Sequence, residues 1–492
     1  MKSLKKNSNY EKAELTGLNP SIFLKNRKKY ISKLKQYVSD LQQDGIIFLK
    51  GGEELFKYDN DDDYHYFIQE SNFYYLTGVR EPGYYAAIII DEDDPKLSLF
   101  VPTPDERTKI FLHVETLEDI EKKYNCSAYE LVKMQDEINK LNPSKIYVLN
   151  GVNSDSDKKV LSAADFLFTP PYSSLNERID NNILIYECLA DSRVCKSEEE
   201  IELLKYINEK TVEAHKITMK NIKNCKIERD VENTFFRSIR FSLYSRNHPY
   251  EHICGCGPNA STLHYLDNDC ELEQGKLILM DMGGKCAGYV SDVTSTVPIN
   301  GKFSEKQKDI YNIVLDANLA VRNNAKIGVS WLELHKLAER KILEGLKNLG
   351  MLKGDVDDML NKRVCYYFMP HGLGHLMGID VHDAGGYLSF TPERSKEKGL
   401  NCLRTARILE KNMVLSDEPG IYFIRFLLEQ GYNDETVKDF FDKDKIENYI
   451  DEVGGVRIED DILINENGCE LLTVGLPRTV EEIEEWMKDE KK

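Results

Sequence analysis

"KLILMDMGGKCAGYVSDVTSTVPI", residues 276–299, decides how the second half of the chain is read. It is strand-like text, rich in apolar and β-branched residues. Two further stretches read the same way, "NMVLSDEPGIYF" (412–423) and "GGVRIEDDILI" (454–464). Their acidic residues are the anomaly. Asp281, Asp292, Glu418 and Glu459 each interrupt or end a β-like run, where a carboxylate buried without a partner costs several kcal/mol.

Between these stretches lie helical segments opened by capping boxes, Ser304 with Gln307 and Ser330 with Glu333. The first half alternates helical text with short apolar runs: "GIIFL" near 45, "YAAIIID" near 85, "LSLFVP" near 97 and "KIYVLNG" near 145. That alternation is an α/β pattern. Near 197 another capping box, Ser197 with Glu200, opens a helix on which Leu203, Ile207, Ala214 and Ile217 recur at helical spacing. The domain boundary is expected just before it, giving an N-terminal domain over 1–190 and a C-terminal domain over 191–492.

At 492 residues the chain exceeds what one hydrophobic core organises, which also argues for two domains. Apolar residues at 41%, charged residues at 30% and a mean hydropathy of -0.48 describe a soluble globular protein. No apolar run approaches the roughly 20 residues of a bilayer span, so no membrane association is expected. The opening "MKSLKKNSNYEKAEL" lacks the apolar core of a secretory signal. The net charge of -19 and the lack of a basic stripe exclude nucleic acid as a partner. The acidic runs "DNDDD" (59–63) and "DEDDP" (91–95) read as solvated loops. Eleven cysteines without paired spacing fit reduced thiols in a cytoplasm, and the Cys254-x-Cys256 pair reads as structural.

Three of the ten histidines, His371, His375 and His382, cluster in "MPHGLGHLMGIDVHDAGGY" (369–387). The i, i+4 pair in "HGLGH" invites comparison with the HExxH zinc helix, and the comparison fails. Gly372 stands where that motif has its glutamate, and three glycines within seven residues would each cost a helix roughly 1 kcal/mol. A glycine-rich loop or strand end, with backbone passing close to something, fits better. One histidine with four sheet-borne carboxylates would make an oxygen-rich site, favouring a hard or borderline divalent metal such as manganese. Four carboxylates match two divalent cations better than one.

"LMDMGG" with "SDVTST", then "MPHGLGHLMGIDVHD", "LRTAR", "DEPGIYF" and "GGVRIEDD" together resemble the pita-bread metallopeptidase family, and within it the prolidases, or Xaa-Pro dipeptidases, of eukaryotic type. The likeness extends to "QESNFYYLTGVREPG" (69–83), so it spans most of the chain. It implies an N-terminal creatinase-like α/β domain, related to that of aminopeptidase P, followed by a C-terminal pita-bread α/β domain. It also implies a homodimer. The family's metal ligands fall on Asp281, Asp292, His375, Glu418 and Glu459, with Asp292 and Glu459 bridging two ions, Asp281 completing one, and His375 and Glu418 belonging to the other.

The expected activity is hydrolysis of Xaa-Pro dipeptides by a water that two divalent ions, manganese foremost, activate while polarising the scissile carbonyl. Glu418 is the candidate proton shuttle. By resemblance, His264, His371 and His382 contact substrate and stabilise the oxyanion, Arg404 binds the C-terminal carboxylate and Tyr250 lines the site. Arg457, two residues before Glu459, is placed to hold neighbouring carboxylates in register. His335 reads as structural. No nucleophile elbow and no activated cysteine supports serine or cysteine catalysis.

Two departures stand out. Asp417 replaces an apolar residue of relatives, and strand alternation turns it away from Glu418. A tryptophan that closes the site in some relatives has no counterpart, since only Trp331 and Trp486 exist, and Phe111 falls nearest its place. The rival readings are an aminopeptidase P acting on longer Xaa-Pro peptides and a non-catalytic pita-bread binding protein. The complete ligand set argues against the second.

Overall fold

Ile46–Lys50 (β1), the "GIIFL" run, is buried at every position but the last, as expected of a strand covered on both faces. A computed structural model describes residues 10–59, 66–167 and 172–488; most of the acidic run at 59–63 and the first nine residues fall outside them. β1 pairs antiparallel with Tyr85–Ile89 (β2) and parallel with Ile146–Tyr147 (β5). The sheet continues from β2 to Leu97–Val101 (β3) and Ser127–Glu130 (β4), and from β5 to Ile179–Asp180 (β6). The sequence pattern does not foretell β4 and β6, whose "SAYE" and "ID" carry little apolar text. Phe48 and Tyr85 stack at 6.0 Å in the core of this sheet.

Beside it, the helix Pro20–Tyr37 starts on Asn19, whose side chain accepts from Ser21 N at 3.0 Å, with proline at the first turn where its missing N–H costs nothing. It packs on the helix Leu184–Val194. Thr16–Glu199 form one compact unit and Glu200 onward, with the described residues before Thr16, a second. Phe111 is exposed on the short helix Thr108–Phe111.

The second unit begins on the helix Glu198–Asn221. Leu203, Ile207 and Ala214 are buried there, but Ile217, placed by spacing on the same stripe, is exposed because the buried face has turned to Thr218 and Met219. The 276–299 stretch becomes four short strands. Leu277–Asp281 (β8) lies between Ile253–Cys256 (β7) and Thr294–Pro298 (β11), both antiparallel to it. Lys285–Cys286 (β9) and Tyr289–Val290 (β10) form a hairpin whose two-residue turn, Ala287 and Gly288, has φ of 47° and 85°. Positive φ at both turn positions is what a type I′ turn requires.

Val414–Asp417 (β12) pairs with Asp460–Asn465 (β15), which continues to Gly468–Leu471 (β16); Gly420–Tyr422 (β13) pairs with Gly455–Arg457 (β14). The helices Glu305–Asn324 and Trp331–Asn348 pack together. The first has its reciprocal capping box on Ser304 and Gln307. Ser330 does not: its side chain makes no capping bond. The reason is tertiary, because Ser330 forms a β-bridge with Ile408 and Trp331 N donates to Arg407 O at 2.9 Å. None of the eleven cysteines forms a disulfide. Among the described residues, no helix is long and apolar enough to cross a membrane.

Candidate active site

Each anomalous carboxylate stands where a strand ends or two strands are linked. Asp281 closes β8, Asp292 lies in the link from β10 to β11, Glu418 joins β12 to β13 and Glu459 joins β14 to β15. Register brings them together: Thr294 pairs with Asp281 across the sheet, and its Oγ1 donates to Glu459 Oε2 at 2.6 Å. Strand ends release a side chain from the sheet face while the ladder still fixes its Cα, so convergent ligands cluster there.

"HGLGH" is an irregular loop lying against β12. His375 N donates to Ser416 Oγ at 3.1 Å, and Ser416 N donates to His375 O at 3.0 Å. A Cβ on Gly374 would stand 2.0 Å from the Ser416 carbonyl oxygen, so only glycine lets the loop approach this closely. His375 Nδ1 donates to Leu376 O at 3.1 Å, which leaves the Nε2 lone pair aimed inward. That Nε2 lies 3.3 Å from Asp292 Oδ2 and 3.6 Å from Glu418 Oε1.

Asp281, Asp292, His375, Glu418 and Glu459 line one cavity of about 230 Å³, together with His264, His371, His382, Arg404 and Arg457. Gly372, Gly374, Pro370, Leu263 and Cys402 complete its wall, and the sequence reading assigned none of the last three to the site. Tyr250 is absent from the lining. Its half-buried ring packs against His252, and burial, then the Asp281 and Asp292 charges, push its hydroxyl well above the ordinary range. Asp417 is fully buried, pairs in register with Asp460 and does not reach the cavity.

Four carboxylates in one cavity perturb one another. Burial, then the Asp281 charge, raises Asp292 to about 7. Burial also raises Glu418 to about 7, against the opposing pull of His375 and Arg457. Glu459 is raised by burial and by Asp292. Arg457 is the internal counter-charge: its Nη2 meets Asp281 Oδ2 at 2.6 Å and its Nε donates to Thr294 Oγ1 at 3.0 Å. Asp281 Oδ1 and Asp292 Oδ1 are nevertheless buried without a hydrogen-bond partner. Donor atoms of Asp292, His375 and Glu459 lie within 4.8 Å of one another. An imidazole lone pair facing carboxylate oxygens, with further oxygens orphaned beside them, is a donor set suited to divalent cations.

A hydrogen-bonded chain runs along one wall. Arg457 Nη1 donates to Tyr422 Oη at 2.9 Å, Tyr422 Oη meets His371 Nε2 at 3.0 Å, and His371 Nδ1 meets Gly372 O at 2.7 Å. Burial and Arg457 lower His371 to about 3, so it is neutral, and both ring nitrogens are engaged by the protein. His382 stands edge-on to His375 with ring centroids 4.4 Å apart. Burial, then Arg457, lowers His264.

The chain matches the model of metallopeptidase family M24 over residues 202–466 and that of the aminopeptidase P N-terminal domain over 23–148. It belongs to family M24, with the pita-bread domain that holds the cavity. Within that family it is similar to the Xaa-Pro dipeptidases of Mus musculus and Homo sapiens, at 39% and 38% identity over 95% of this chain and 93% of each relative. A probable Xaa-Pro aminopeptidase of Botryotinia fuckeliana is 34% identical over 93% of the chain and 95% of its own length. Among solved structures, the aminopeptidase PepP of Pseudomonas aeruginosa superposes with a TM-score of 0.77 at 29% identity, covering 96% of this chain and 99% of that one. The zinc-substituted aminopeptidase P of E. coli in complex with product gives 0.75 at 28%, covering 96% and 98%.

Proposed function

We propose that the protein hydrolyses Xaa-Pro dipeptides, releasing proline, as a homodimeric cytoplasmic enzyme with two divalent ions per subunit, manganese foremost. One observation carries the reading: five donor side chains converge on a small cavity that also holds Arg404, His264 and His382. Its volume of about 230 Å³ lies below the ~300–1,000 Å³ of sites for drug-sized ligands, which suits a dipeptide. The greater likeness to Xaa-Pro dipeptidases than to Xaa-Pro aminopeptidases supports the same choice.

Asp281, Asp292, His375, Glu418 and Glu459 would hold the ions. When bound, the ions supply Lewis acidity that lowers the pKa of water towards neutrality and polarises the scissile carbonyl. Glu418 takes a proton from the attacking water and returns it to the proline nitrogen as the C–N bond breaks. That nitrogen has no hydrogen of its own in the peptide and needs the proton to leave. Arg404 offers a guanidinium fork to the product-side carboxylate, and with it a reason for dipeptides to be preferred.

His264 and His382 face the substrate and the oxyanion. His371, its nitrogens engaged by Tyr422 and Gly372, takes part as a neutral group 3.8 Å from Glu418 Oε2. Tyr250 lies close enough to Asp281 and Asp292 for their charges to act on its hydroxyl. We divide the chain into an N-terminal domain, residues 1–190, and a catalytic domain, 191–492, a cut that falls within the Leu184–Val194 helix, a few residues before the compact units part at Glu199 and Glu200. Chelation followed by manganese reconstitution tests the reading: Gly-Pro hydrolysis should vanish and return, and hydrolysis that survives a metal-free preparation would contradict it.

A further inference from the structure

The helix Trp331–Asn348 carries three buried side chains one turn apart, Trp331, His335 and Glu339, on the face turned to the "HGLGH" loop. Trp331 Nε1 donates to Gly374 O at 3.3 Å. Leu373 N donates to His335 Nδ1 at 3.0 Å. Because Nδ1 accepts, neutral His335 carries its proton on Nε2, which lies 3.2 Å from Glu339 Oε1. Arg363 hydrogen-bonds the same carboxylate oxygen. Although burial opposes it, His335 and Arg363 hold Glu339 below its usual range, so it is ionised beside the imidazole. On its other side the loop is fixed by β12, with Glu418 N donating to Leu373 O at 2.9 Å.

We propose that His335 is a positioning residue: with Trp331 it grips the peptide groups flanking Leu373 and Gly374, and so sets where His375 presents its Nε2 to the metal site. The proposal rests on the ligand role assigned to His375 above. His335 touches neither substrate nor ligand side chain; it acts through the loop backbone. A backbone-borne error of this kind moves a ligand without removing it, and outer-shell changes at metal sites cost about 10–100-fold in affinity or activity.

The two ring nitrogens can be tested apart. An asparagine amide oxygen stands near the place of Nδ1 and can still accept from Leu373 N, whereas a glutamine reaches towards Nε2 and Glu339 but leaves Leu373 N without an acceptor. Manganese affinity would be measured by calorimetry on metal-depleted His335→Asn, His335→Gln and His335→Leu proteins, with thermal midpoints and Gly-Pro kcat alongside. His335→Gln and His335→Leu should bind manganese about 10-fold or more weakly than the unmodified protein, and His335→Asn should recover most of that loss, even where all three midpoints fall alike. If His335→Leu does not fold, the Asn and Gln pair carries the comparison. Equal affinity in all variants, or losses in Asn and Gln that follow their midpoints alone, would overturn the proposal. Failure of the unmodified protein to cleave Gly-Pro would instead strike the functional reading, since the affinity comparison does not depend on it.

Discussion

Arg457 places Nη2 2.6 Å from Asp281 Oδ2, with the two side chains only 5% and 13% exposed. Removing one partner of such a pair leaves an uncompensated buried charge, which costs about 3–5 kcal/mol. Arg457→Met should therefore lower the thermal midpoint of the metal-free protein markedly and that of the manganese-loaded protein less, because bound cations replace the lost charge. Calorimetric scans with and without manganese check this; an equal loss in both would separate Arg457 from the metal site's charge balance.

His375 has its Nδ1 committed to Leu376 O, so Nε2 is the ring nitrogen that faces Asp292 and Glu418. His375→Ala should bind at least one ion fewer and lose more activity than the roughly 10–100-fold of outer-shell changes. Elemental analysis of the purified variant decides it, and unchanged metal content would remove His375 from the ligand set.

In the metal-free protein, Asp292 and Glu418 titrate near 7, above their unfolded values of 3.8 and 4.5, and Glu459 shifts the same way. The folded state thus binds more protons than the unfolded one between about pH 4 and pH 7, and each such group removes up to ~1.4 kcal/mol of stability per pH unit across that window. Chelated protein should melt at a lower temperature at pH 8 than at pH 5, and manganese should narrow the gap while binding more tightly as pH rises. A metal-free midpoint higher at pH 8 would contradict these shifts.

Arg404 lines the cavity without being a candidate metal ligand. Arg404→Gln should raise KM for Gly-Pro by at least about 10-fold, the ~1.4 kcal/mol end of a charge-assisted contact, while manganese content stays intact. Steady-state kinetics on metal-analysed enzyme measures it; an unaltered KM would assign the carboxylate to another group.

The carboxylates were legible because acids are costly in β-like text, and Asp281, Asp292, Glu418 and Glu459 stood out against Val, Ile and Leu neighbours. Their convergence was legible only through resemblance, since the register that sets Thr294 opposite Asp281 is a long-range property. Ser330 shows the limit of a local signal: its capping box has the right letters, but pairing with Ile408 takes over. His335 was read from the sequence only as structural, because the loop that Trp331 and His335 contact lies some forty residues away and left no local mark on their helix. Likewise, nothing local to Leu263 or Cys402 points to a cavity wall.

The most direct test compares kcat/KM of the manganese-reconstituted protein for Gly-Pro and for Gly-Pro-Ala. The account predicts that the dipeptide is favoured by at least an order of magnitude, because Arg404 meets a carboxylate that the tripeptide places one residue further on. Preference for Gly-Pro-Ala would contradict it and identify an enzyme of the aminopeptidase P type.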